Sequence, residues 1–161
     1  MVFIEGLAVC FWMLLICVIG IANGPVGLVV FYEPDVQERV VQLGLTTKEK
    51  IKKTSVISGL ALFIPMLIGV PAMVYGLNGA DSFMSGFWQM YAIYMIAGLF
   101  DRLFIDVYWV EHTKAWSIPG TENLRPYIPL KTAVKKWVGT IVGFLIYSAG
   151  IAWLAARIIP H

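Results

Sequence analysis

The chain has 161 residues, 59% hydrophobic and only 14% charged, with a net charge of +2 at pH 7 and a mean hydropathy of +0.78. One water-soluble domain cannot bury that much apolar surface, so the composition excludes an ordinary soluble globule and predicts an all-α, polytopic membrane protein. The small net charge excludes nothing, because the distribution of charge along the chain carries the information.

A hydrocarbon core of ~30 Å takes about 20 residues of helix. Four stretches are long enough: about 6–32, 54–77, 83–108 and 137–159. They predict four transmembrane helices in a bundle, forming one domain over residues 1–161. The first has Glu5 ahead of it instead of a basic residue, and its uncharged run exceeds the ~7–15 residues of a signal core, so it reads as a permanent helix. Cys10 and Cys17 share one face of that helix without metal or redox spacing, and read as packing residues. Near its end comes Asn23-Gly24-Pro25. Pro25 cannot donate a backbone hydrogen bond and is expected to free the carbonyl of Ile21, while Gly24 and Gly27 allow close approach of another backbone.

After Pro34, the spacing of Asp35 and Glu38 suggests a capping box and Gly44 a stop. They enclose a short helix with Val36, Val40 and Leu43 on one side, expected to lie along the membrane surface. Thr46 and Glu49 repeat the spacing, so the second long helix should begin near Thr47. Lys48, Lys50, Lys52 and Lys53 then sit at headgroup level, where each adds about 1 kcal/mol of attraction to anionic lipid. Without interleaved aromatics this patch does not read as a nucleic-acid site.

The third span carries the chemistry. Asp101, Arg102, Asp106, Glu111 and His112 crowd its last third, and a charge inside a span costs at least ~2.5 kcal/mol, so such residues face protein or water and mark function. At about 100° per residue, Asp101, Tyr108 and His112 fall within roughly 20° of one line, while Arg102 and Asp106 form an i,i+4 pair on an adjacent strip. The first set reads as a ligand-binding wall and the second as a structural ion pair. Glu111 lies about 80° off the line of Asp101, Tyr108 and His112 and reads as solvated at the headgroups. At a rise of 1.5 Å per residue, Asn23 and Asp101 both lie about 25 Å from their points of entry. Asn23, Asp101, Tyr108 and His112 are therefore expected to border one cavity, beneath the segment containing Trp116 and Pro119. Pro119, Pro126 and Pro129 forbid a continuous helix there, which leaves a compact cover or a plain connector.

Arg39 and the four lysines follow the first span; Lys114, Arg125, Lys131, Lys135 and Lys136 follow the third; 78–82 has no basic residue. The positive-inside rule puts both long loops in the cytoplasm and both termini outside the cell membrane. Asp101, Glu111, His112 and Glu122 offer metal-binding atom types without a metal spacing, so no metal is assigned and the cofactor stays unknown. His161, the other histidine, lies beyond the fourth span on the opposite side and does not suit paired haem ligation. Phosphate loops, dinucleotide fingerprints and nucleophile elbows are absent. The resulting expectation is a site for a small cation, an amine or a lipid at the cytoplasmic end of helices 1 and 3, in a small transporter subunit working as a homo-oligomer. The alternatives are a membrane-embedded enzyme acting on a lipid or prenyl substrate, and a non-catalytic accessory subunit. Polar residues in the outer halves are few, Tyr75, Ser85, Gln89, Tyr147 and Ser148, which argues against a continuous pore.

Overall fold

The structure, a computed structural model, describes residues 1–158, so His161 and the end of the expected fourth span lie outside the described residues. Among the described residues the chain is helical, with no strand. α1 covers Val2–Ile21, α2 Pro34–Gln42, α3 Lys48–Ala72, α4 Phe83–Leu99 and α5 Leu130–Ile158. α3 runs on as a π turn, Met73–Leu77, and α4 as a π-helix, Phe100–Val110. Three helical stretches, Val2–Ile21, Lys48–Leu77 and Leu130–Ile158, are long and apolar enough to cross a membrane. Exposed Phe3, Ile4, Phe11 and Ile19 on α1 make a surface suited to hydrocarbon rather than water.

α4 occupies the centre and packs against α1 and α5. Its Met90, Ile93, Tyr94 and Ala97 are fully buried, in one core with Val70 and Val74 of the α3 stretch and Ala152 of α5. Two glycines set the helix spacing. A Cβ on Gly6 would strike Ile96, and one on Gly98 would strike Thr140, so these small residues let the helices approach closely.

α1 stops at Ile21, where the sequence predicts a helix as far as Tyr32. Gly24 adopts φ 104°, Pro25 opens a 3-10 segment over Pro25–Phe31, and this segment folds back on the last turns of α1. A Cβ on Gly27 would collide with the Gly20 carbonyl. The carbonyl of Ile21 is not left free: the Gly24 N–H donates to it at 2.8 Å. Asn23 sits in the turn, exposed.

The prolines of α3 follow the same rule over a longer range. Each proline deprives the carbonyl four residues earlier of its donor. Pro65 does this to Ala61, whose carbonyl accepts the Trp12 indole N–H of α1 at 3.0 Å. Pro71 does it to Leu67, whose carbonyl accepts the Tyr147 hydroxyl of α5 at 2.6 Å. Neighbouring helices thus satisfy both breaks.

α2 starts two positions earlier than a capping box at Asp35 and Glu38 implies, with Glu33 as its N-cap and Pro34 as its first residue; the Asp35 carboxylate accepts its neighbour's amide, Val36 N–H, instead. It ends in a Schellman turn. Gly44 at φ 72° lets Leu45 N–H return to Val40 O and its own N–H to Val41 O. Val36 and Val40 are buried, whereas Leu43 is exposed. Thr47 rather than Thr46 caps α3, its hydroxyl accepting Lys50 N–H at 3.2 Å. The segment 113–129 is a folded cover: Trp116, Ile118 and Tyr127 share a core with Val36 and Val40 of α2 and with Tyr32. The Arg39 Nε–H donates to Gly120 O at 3.1 Å across the two loops. α5 begins at Leu130, ahead of the expected Trp137, so Lys131, Lys135 and Lys136 ride on its first turns.

Candidate functional site

Every charged residue of the site enters through the π-helix or α5. An i→i+5 ladder needs more residues per turn than the α-helix. Residues five apart, such as Asp101 and Asp106, are therefore drawn towards one face, and residues seven apart, such as Asp101 and Tyr108, are turned away from each other. π segments of this kind are rare and recur at functional sites.

Arg102 is the fork that joins the set. One terminal nitrogen donates to Asp101 and the other to Asp106. Lys136 Nζ reaches across from α5 and donates to both Asp106 oxygens, at 3.0 and 3.1 Å. Two cations thus face two carboxylates, and the formal charges cancel, as a cluster largely removed from water requires.

This cluster forms part of the wall of a cavity of about 540 Å³, a volume typical of small-molecule sites. The rest of the wall is mostly apolar. Met13 and Cys17 come from α1, Met66 and Leu67 from α3, Phe144 and Tyr147 from α5. Gly139 and Gly143 also border it, and a Cβ on either meets nothing within 4 Å. The cover contributes Trp116 and Tyr127. It is held down at several points. The Tyr32 hydroxyl donates to Trp116 O at 2.6 Å, and the Tyr127 hydroxyl bonds Thr121 and accepts Ile118 N–H. Glu111 does not simply face solvent: its carboxylate accepts Ile128 N–H at 2.7 Å and ties the cover to the π-helix. Farther out, both Glu122 oxygens accept Gly120 N–H. Hydrogen bonds from its own amide and from Gly120 hold the Glu122 carboxyl below its ordinary value of 4.5.

Two donors on residues of this wall have no acceptor. Arg102 Nε and the Trp116 indole nitrogen are both buried without a hydrogen-bond partner, and both residues border the cavity. Buried N–H groups without partners are uncommon and call for an explanation.

Of the four residues expected to form the binding wall, Asp101 alone borders this cavity. Asn23 lies in the exposed turn after α1. Tyr108 is 57% exposed and belongs to an outward aromatic stripe with Phe104 and His112. His112 is exposed, its Nδ1 2.6 Å from Val107 O, and it borders a separate pocket of about 110 Å³. The α-helical geometry that grouped these side chains does not hold in the π segment, and Arg102 and Asp106 take the places in the wall. Lys136 is the residue that sequence reasoning misses, since the expected start of the fourth span at Trp137 leaves it in the preceding loop. A signal existed: Lys136, Gly139, Thr140, Gly143 and Tyr147 recur at three and four residues, a polar and small stripe along one helix face.

Among the described residues no group of three His, Cys, Asp or Glu comes together as a metal set. No protein-family model, curated protein or solved structure matches the chain. The site is therefore read from its own chemistry.

Proposed function

We propose that the chain is a four-span membrane protein that binds an amphipathic, lipid-like ligand, with the ligand's polar head at Arg102 and its apolar portion along α3 and α5. The carrying observation is the asymmetry of the cavity: a charge-balanced cluster with two unused N–H donors at one part of the wall, and apolar or small residues over the rest. A simple hydrated ion would make little use of that apolar surface. A ligand with a hydrogen-bond acceptor and a hydrocarbon part would use both, since such sites fix orientation with a few polar groups and gain affinity from apolar contact.

The span assignment has physical support of its own. α4 continues without interruption into the π-helix and reaches the cover, so the combined rod has the length a fourth span needs. Both basic loops pack into the same cover, and on the positive-inside rule that end is cytoplasmic, with both termini outside. Binding is also favoured over acid–base catalysis. Each carboxylate of the cluster is already engaged by a cation, which leaves no free general base.

Gly143→Leu tests this reading. The side chain enters open space beside the cavity, and replacing a helix-interior glycine favours the helix by up to about 1 kcal/mol. Wild-type protein extracted in mild detergent should carry a stoichiometric lipid-like molecule by native mass spectrometry. The leucine variant should fold with equal or higher thermal stability and carry none. A wild type free of bound lipid, or a variant that retains it, defeats the proposal.

A further inference from the structure

At the other end of the helices lies a second polar cluster of opposite character. Glu5, in the first turn of α1, is only 6% exposed. One of its oxygens accepts Asn78 Nδ2 at 2.9 Å; the same nitrogen donates to Gln89 Oε1 at 2.9 Å, and Gln89 Nε2 donates to Ser85 Oγ at 3.0 Å. The donors of Asn78 are thereby used. Two acceptors are left over: Glu5 Oε1 and Asn78 Oδ1, both buried and without a partner. The Tyr75 hydroxyl, also buried and unpartnered, sits against Gly86 on the same stretch of α4.

Among the described residues no cation lies within ion-pair distance of Glu5: every ion pair present belongs to Asp101 and Asp106. The basic residue nearest in the chain to that end of α5, Arg157, is placed over the Trp153 ring at 3.9 Å. A buried carboxylate needs a compensating charge. The positive end of the α1 dipole favours negative charge on Glu5 but supplies no hydrogen to Oε1. Asn78 follows the π turn that ends the α3 stretch, where the negative end of a helix favours a cation.

We infer that Glu5 and Asn78 form a site for a single monovalent alkali cation, held by Glu5 Oε1 and Asn78 Oδ1. Hard cations take oxygen ligands of this kind, carboxylate and amide carbonyl together. One carboxylate and otherwise neutral oxygens match one positive charge, whereas a divalent ion would leave a surplus in a buried place. In this position the ion clamps three elements: α1 through Glu5, the α3–α4 connection through Asn78 and, through Asn78, α4 at Gln89.

The test uses the full chain in nanodiscs of uncharged lipid, with thermal unfolding followed in lithium, sodium, potassium or choline chloride at constant ionic strength. At least one alkali cation should raise the unfolding temperature saturably over choline. Glu5→Gln and Asn78→Leu should each raise the half-saturating concentration more than about tenfold. Equal unfolding temperatures in all four salts overturn the inference on wild-type protein alone, even if both variants misfold. An undiminished response in a folded Glu5→Gln protein overturns it as well, by placing the ion elsewhere.

Discussion

The two polar clusters solve the same problem in opposite ways. Around Arg102 four charges neutralise one another, and the unused groups are hydrogen-bond donors. Around Glu5 a single carboxyl group meets the Asn78 amide, which is bonded in turn to Gln89, and the unused groups include two acceptors. A balanced cluster can be held by the protein alone, and what it still lacks is an acceptor. The unbalanced one lacks a positive charge. Local stoichiometry of donors, acceptors and charge therefore separates the two regions more sharply than the residue types do.

The sharpest way to break this comparison is to neutralise one charge in each region. Arg102→Met leaves Asp101 and Asp106 sharing Lys136, and removing one member of a buried ionic set typically costs about 3–5 kcal/mol. Glu5→Gln keeps the shape and removes an uncompensated buried charge, so in choline buffer it should leave stability equal or raised rather than lowered. Denaturant unfolding of the two variants in parallel measures the contrast. Equal losses would mean that the charge balance has no energetic meaning.

Between the two regions, Tyr147→Phe tests whether the broken α3 helix depends on its neighbours. The substitution leaves the Leu67 carbonyl, already deprived of its helical donor by Pro71, without a bond. The expected cost is about 1–3 kcal/mol, read as a lowered unfolding temperature. An unchanged value would show that the carbonyl finds another donor.

The smallest effect concerns a carboxylate of a third kind, exposed and bonded to backbone. Because the Glu122 carboxyl is held below its ordinary value, its contribution is present above 4.5 and lost as pH falls through the lowered folded-state value. Wild type should be slightly more stable than Glu122→Gln at neutral pH. The difference should vanish on the acid side, and a difference that grows as pH falls would reverse the sign and remove Gly120 as the cause.

Much of the architecture was legible before any coordinates. Helix content, the apolar stretches at 54–77 and 137–159, the stop at Gly44 and the concentration of charged residues near Asp101 follow from local properties: hydropathy, backbone freedom at glycine, and the cost of charge in an apolar run. The same local reasoning failed wherever the answer depended on a partner distant in sequence. Pro25, Pro65 and Pro71 announce free carbonyls, but only the fold shows that Gly24, Trp12 and Tyr147 reach them. Asp101, Tyr108 and His112 share a face at α-helical pitch, and a change of pitch to the π-helix parts them. Lys136 becomes part of the site because α5 starts seven residues before Trp137 and packs on α4. Glu5 looks like a polar flank to an apolar run until Asn78 and Gln89 close over it. Sequence sets what each segment can bury; which donor meets which acceptor is decided when the helices pack, because that pairing depends on distances between residues up to 86 positions apart along the chain.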